Sequence, residues 1–203
     1  MEPSKCLSEK QAGYDGRHNR KRLEDRIMNQ ALCGNPELQV MDPYVHLSES
    51  LEEMKQEHHE LLLKLQELHA VARSIGYDEQ VPDWSVKLEG LKDLVEQFRF
   101  RFMRHNKKEE ATLYPVVDLY TGDKMGPTSV MRQEYRMAMD NFQHFIDIVA
   151  ELPDESVKEC TAKKAVSHVQ QTYFILTEFI RKEKEWVFPL SEQMLTDIEH
   201  FYS

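Results

Sequence analysis

The chain has 203 residues, of which 36 are acidic and 26 are Lys or Arg, so its formal net charge at pH 7 is -10. Charged residues make up 31% of the chain and there are only 7 glycines, a composition that favours long helices over a turn-rich β fold. A surface with this much negative charge repels the phosphate backbone of nucleic acids, so we expect no nucleic acid partner.

The sequence also predicts the cellular location of the protein. It contains no apolar run of 18 residues, so we expect no membrane span and no membrane partner. The first residues, MEPSKCLSEK, lack the apolar stretch of a secretory signal. Three cysteines, Cys6, Cys33 and Cys160, are an odd number without CxxC spacing and are typical of free thiols in a reducing compartment. We therefore expect a cytoplasmic protein.

Residues 1–44 differ in composition from the rest of the chain. They contain three glycines, three prolines and a basic cluster that runs from Arg17 to Arg22. This composition predicts an irregular tail, either a solvated arm or a short docking segment. Residues 45–203 are predicted to form one domain.

The first predicted helix begins near Ser48 or Ser50, because Ser50 and Glu53 have the spacing of a capping box. Apolar residues then recur every three or four positions, and the helix is predicted to end near Gly76. A second helix is expected from residues 83–85 to Pro115, since proline lacks the N–H that a helix interior needs.

A third helix is predicted to begin at Thr128 or Ser129, either of which could cap it, and to end at Pro153. The fourth runs from residues 154–156 to Pro189, and a short amphipathic helix covers residues 191–201. Four long helices with short connections predict an all-α, antiparallel, up-down-up-down four-helix bundle.

Polar groups interrupt the apolar faces of three helices. His105 and Glu109 are four residues apart and share one face of the second helix, while His58 and Glu183 fall on the inward faces of the first and fourth. Taken singly, each could be a hydrogen-bonded core histidine or a solvated carboxylate. Together they would need a compensating charge in one core volume, which a divalent cation would supply.

Three stretches of the sequence, QEHHELLLKL, MRHNKKEEATLYPVV and IRKEKEWVFPL, resemble the signatures of hemerythrin-like HHE cation-binding proteins. The equivalent LYP and VFP segments at 113–115 and 187–189 make the resemblance specific, and it covers residues 46 to about 195. The resemblance implies a four-helix bundle around an iron centre.

The resemblance also implies which residues bind the metal. His58 and His105 correspond to the terminal ligands of one iron, and Glu109 and Glu183 correspond to the two bridging carboxylates. Tyr135 and Phe179 stand where the family has the histidines of the second iron. One retained half-site implies one iron ion, although two ions, or Mn or Zn in place of iron, would also suit such ligands.

Three positions keep alternative interpretations. Tyr135 could bind iron as a phenolate, or it could donate a hydrogen bond to a carboxylate ligand. His69 and His168 fall towards one end of the bundle, where they could form a second metal or haem site or simply cap the core.

Three functions are compatible with the sequence. The first is a metal-binding module that senses, stores or responds to stress and takes a small diatomic ligand; oxygen carriage in the family requires two irons. The second is a non-haem iron redox enzyme acting on oxygen, peroxide or nitric oxide. The third is a metal-free bundle used for protein interaction. The oligomeric state is not evident from the sequence.

Overall fold

The computed structural model describes residues 42–76, 83–122, 126–152 and 156–202. These residues form helices alone, which confirms the all-α prediction. The helices are α1 (Asp42–Ser74), α2 (Ser85–Thr112), α3 (Tyr114–Thr121), α4 (Pro127–Ala150), α5 (Glu159–Lys182) and α6 (Phe188–Tyr202), and a π-helical turn (Glu183–Val187) joins α5 to α6. Residues 1–41, most of the predicted tail, lie outside the described part.

The four long helices form a closed bundle. Helix α1 packs against α2 and α5, and α4 packs against the same two helices from the opposite corner. The backbone N–H of Trp84 donates a 3.3 Å hydrogen bond to the carbonyl of Val157, so α2 and α5 begin at the same end of the bundle. Diagonal helices that run parallel are the arrangement of an up-down-up-down bundle. No helix of the described residues has the length and apolarity that crossing a membrane requires.

A continuous apolar core fills the bundle. Leu65, Leu88, Phe142 and Leu176, one from each long helix, are fully buried in it. Burying a side chain of this size contributes about 1.5–3 kcal/mol relative to leaving it exposed. The inward face of each helix therefore fixes which polar residues must also face inward.

Prolines lie in the first turns of several helices, including Pro115, where the sequence predicted the end of a helix. Helix α1 begins at Asp42 and includes Pro43, so Ser50 lies inside the helix and does not cap it. Pro115 lies in the first turn of α3, a helix that the sequence did not predict. A proline fits there because the first N–H groups of a helix have no partner within it.

The starts of α4 and α6 also differ from the predicted ones, and each has a proline in its first turn. Helix α4 begins at Pro127 after Gly126, and its first residues include Thr128, whose hydroxyl bonds Asp118 instead of capping the helix. Pro189 lies in the first turn of α6, so the short C-terminal helix begins at Phe188, three residues before its predicted start.

Candidate metal centre

Three helical segments bring four polar side chains to one end of the bundle. His58 comes from α1, His105 and Glu109 from the last turns of α2, and Glu183 from the start of the π-helical turn. All four are buried, and one ligand atom of each lies within 4.8 Å of those of the others. The structure thus brings together four of the five residues that the sequence assigned to a metal.

Glu109 lies at the centre of this cluster. Its Oε1 is 3.1 Å from Nε2 of His58 and 3.0 Å from Nε2 of His105, and the two imidazole rings are 4.7 Å apart. Oε2 of Glu183 is 3.1 Å from the same Nε2 of His58. Two imidazole nitrogens and two carboxylates therefore converge on one small volume.

The electrostatics of the cluster are those of buried, unscreened charges. Burial lowers the pKa of His58, but the adjacent carboxylates of Glu109 and Glu183 outweigh it and raise the pKa to about 9. Burial raises the pKa of Glu109, yet the two histidines reverse this and lower it to about 2. Burial and repulsion by Glu109 raise the pKa of Glu183 to about 7. The two carboxylates therefore compete for positive charge.

Several ligand atoms in this cluster lack a hydrogen bond. They are Oε2 of Glu109, Oε2 of Glu183 and Nε2 of His105, all buried. The His105 nitrogen is close to Glu109 but is not aligned for a hydrogen bond with it. Buried polar atoms are costly when unsatisfied. A divalent cation would satisfy all three at once, so the residues fit a metal.

Two further side chains support the ligands, and the sequence indicated neither. Oε2 of Glu57 lies 2.6 Å from Nδ1 of His105, the ring nitrogen turned away from the cluster. The hydroxyl of Tyr114 donates a 2.5 Å hydrogen bond to Oε1 of Glu183. Outer partners of this kind fix the orientation of metal ligands.

Tyr135 occupies a different environment from the one expected. Its ring is only half-buried and stacks on Phe102 at a centroid distance of 6.1 Å. Phe179 is fully buried and contacts the same Phe102 ring edge-on at 5.5 Å. The hydrogen bond to a carboxylate that we expected from Tyr135 is made by Tyr114 instead.

The π-helical turn begins at the ligand Glu183. The wider turn lies between α5 and α6 and holds Glu183 and Val187 inside the bundle. Trp186, in the same turn, is 45% exposed. Single π-helical turns are frequent at functional sites because they change the direction of side chains within a continuous helix.

The structure separates His69 from His168. The ring of His69 stacks on Tyr173 at a centroid distance of 3.7 Å. Nδ1 of His168 lies 3.2 Å from the side-chain oxygen of Asn141, and its ring lies 5.4 Å from that of His144. Among the described residues, His69 and His168 therefore have different ring neighbours and form no joint site. His144 is exposed.

Comparison with known proteins gives one family. The description "Hemerythrin HHE cation binding domain" matches residues 49–191, more than two thirds of the chain. Comparisons with curated proteins and with solved structures gave no match. The matched range begins within α1 and ends within α6, so it contains the whole cluster. The chain belongs to the hemerythrin HHE cation-binding domain family.

Proposed function

We propose that this protein binds one iron ion through His58, His105, Glu109 and Glu183 and acts as a sensor, store or stress-related binding module. The observation that carries the proposal is the meeting of two fully buried carboxylates with two buried imidazoles. Two buried carboxylates in one core volume repel each other and require compensating positive charge. A bound dication would neutralise both carboxylates while the imidazoles stay uncharged.

The ligand set supports iron. Two imidazoles with carboxylate oxygens are typical of non-haem iron, and the same atoms also accept manganese or zinc. The family description names cation binding without naming the ion. Four protein ligands would leave a six-coordinate ion two positions for water or a small diatomic ligand. Next to the cluster, the ring of Phe188 lies 4.9 Å from the ring of His58 and lowers the local polarity.

A single ion is supported by the aromatic side chains beside His105. The ring of Phe102 lies 6.4 Å from that of His105. The rings of Tyr135 and Phe179 each contact Phe102. None of these side chains offers a nitrogen, and Phe179 has no ligand atom at all. Since oxygen carriage in the family requires two irons, an ion held alone favours sensing or storage over carriage.

A redox enzyme acting on oxygen, peroxide or nitric oxide is the second candidate. A surface groove of about 550 Å³ lies over α1 and α2, and both Glu57 and His105 line it. The groove would give a small reactant an approach to the ligand side of the cluster. Absorption spectra of the iron-loaded protein under nitrogen, air and nitric oxide, with product analysis, distinguish turnover from reversible binding.

Metal content of the full chain tests the main proposal. We expect about one iron per chain after dialysis against a weak chelator, and a loss of that iron in His58→Ala and in the near-isosteric Glu109→Gln. The matched control is His59→Ala, because His59 is the next residue on the same helix and is exposed. Two irons per chain, or retention of iron in both ligand variants, would contradict the proposal. Circular dichroism shows whether each variant remains helical.

A further inference from the structure

Two histidines outside the buried cluster face each other across a helix pair. His144 is on α4 and His168 is on α5, with ring centroids 5.4 Å apart and ring planes inclined at 57°. Neither residue belongs to the interior cluster. His144 is exposed, so the pair can be reached from solvent.

The hydrogen bond of His168 determines which of its nitrogens is free. Nδ1 of His168 lies 3.2 Å from the side-chain oxygen of Asn141. An amide oxygen can only accept a hydrogen bond, so Nδ1 carries the proton and Nε2 keeps a lone pair. Burial, together with the charges of His144 and Lys164, lowers the pKa of His168, which favours the neutral ring that metals bind.

The ring separation suits a shared cation. A zinc–imidazole bond of about 2.1 Å puts the metal about 3.2 Å from each ring centroid. Two such rings at a tetrahedral angle have centroids about 5.2 Å apart. The observed 5.4 Å is close to this, as is the 4.7 Å between the interior rings of His58 and His105.

We propose that His144 and His168 form a second, surface cation site that binds an imidazole-preferring divalent ion such as Zn²⁺ and links α4 to α5. Borderline ions of this kind prefer imidazole nitrogen, and water completes the coordination. Asp140 precedes His144 by four residues on the same helix face and adds negative charge there. Lys164 has the opposite effect, because it lies four residues before His168.

Zinc titration of the metal-free full chain, followed by calorimetry, tests the site. We expect the parent chain and His59→Ala to bind one more Zn²⁺ than His144→Ala, whose substitution is exposed and leaves the core intact. His168→Gln should weaken this second zinc by more than about 10-fold, the lower bound for losing even an outer partner of a ligand. Zinc should also raise the melting temperature of the parent chain by more than it raises that of His144→Ala.

The test of the surface site does not depend on whether the interior cluster binds zinc. If the interior cluster binds no zinc, the parent chain should show a single zinc that His144→Ala still removes. If His144→Ala and His168→Gln both match the parent chain in stoichiometry and affinity, the surface site does not exist.

Discussion

The hydroxyl of Tyr114 and Oε1 of Glu183 are joined by a hydrogen bond of 2.5 Å between two fully buried residues. Tyr114 begins α3 and Glu183 begins the π-helical turn after α5, so the bond links two distant parts of the chain at the candidate metal centre. It also settles which oxygen of Glu183 faces the histidines, since the hydroxyl occupies the other one.

Replacing Tyr114 with Phe should therefore loosen the metal centre. The variant keeps the ring but leaves a buried Glu183 oxygen without its donor, which costs the metal-free protein about 1–3 kcal/mol of unfolding free energy. The dissociation constant for the metal should rise about 10–100-fold. Chelator competition and thermal unfolding measure the two effects.

Tyr135→Phe is the matched control for this experiment, because Tyr135 is half-buried and its hydroxyl makes no hydrogen bond to Glu109 or Glu183. We expect its metal affinity to stay close to that of the parent chain. If Tyr135→Phe lowers the affinity more than Tyr114→Phe does, Tyr135 is the ligand or ligand partner and the assignment of Tyr114 is wrong.

Glu57→Gln should weaken metal binding through His105. The carboxylate of Glu57 contacts Nδ1 of His105 at 2.6 Å and holds Nε2 towards the cluster. A neutral amide keeps the size but removes the charge that makes the imidazole a better ligand, so we expect a loss of affinity of about 10-fold or more. Chelator competition gives the value. Glu60→Gln, an exposed change on the same groove, should have little effect; equal losses in both variants would point to the charge of the groove instead.

The sequence was sufficient to predict that four polar residues of the candidate site face inward. His58, His105, Glu109 and Glu183 interrupt apolar helical faces, and the packing of those faces dictates that the four residues meet. Periodicity along one helix determines which side of it is buried, and this requires no knowledge of the neighbouring helices.

The supporting residues could not be predicted in this way. Glu57 is off the apolar stripe, and its partner depends on how α1 packs against α2. The role of Tyr114 was not predicted because Pro115 was interpreted as the end of the second helix. Pro115 instead lies in the first turn of α3, which Tyr114 begins. The position of Tyr114 in the LYP segment, directly after the ligand helix, was the available signal. His168 was expected to lie near His69, but the histidine ring next to it is that of His144.

Metal affinity should increase with pH from acidic to alkaline solution. In the metal-free protein, opposing carboxylates overcome the effect of burial and raise the pKa of His58 to about 9, while burial and Glu109 raise the pKa of Glu183 to about 7. Both protons must leave before a metal binds. Burial lowers the pKa of His105, but Glu109 and Glu57 outweigh it and raise this pKa above its usual value, so His105 adds to the count. We expect at least two protons to be released per metal below about pH 7 and at least one between pH 7 and 9. Calorimetry in buffers of different ionisation enthalpy counts them.

The same groups predict how the stability of the metal-free protein depends on pH. A pKa that folding raises contributes stability at low pH and loses it as pH rises through the folded value. The stability of the metal-free protein should therefore fall as the pH rises from about 4.5 to 7, because Glu183 loses its proton. It should fall again from about pH 6.5 to 9, because His58 loses its proton. Folding lowers the pKa of Glu109 from 4.5 to about 2, so the stability that Glu109 contributes is lost only as the pH falls through this acidic range. The melting-temperature gain on adding metal should grow from pH 5 to pH 9; a constant gain would contradict these shifts.

Tyr135→His combined with Phe179→His should create a two-metal centre. The native rings at both positions contact Phe102, next to the half-site that His58 and His105 supply. With histidines at both positions, Glu109 and Glu183 could bridge two ions. Exchanging buried Phe179 for an imidazole without a hydrogen-bond partner should lower the unfolding free energy of the metal-free variant by about 2–5 kcal/mol. Iron should restore the stability, because it binds only the folded state.

Iron stoichiometry and melting temperature, each with and without added iron, test this double variant. The control is Phe179→Leu with native Tyr135, which changes the core volume without adding a ligand and should keep one iron. Two irons per chain and a larger iron-induced rise in melting temperature are expected only when both histidines are present. An unchanged stoichiometry, with no extra stabilisation, would mean that the Phe102 ring itself fills the volume a second ion needs, and Phe102→Ala in the same background should then open it.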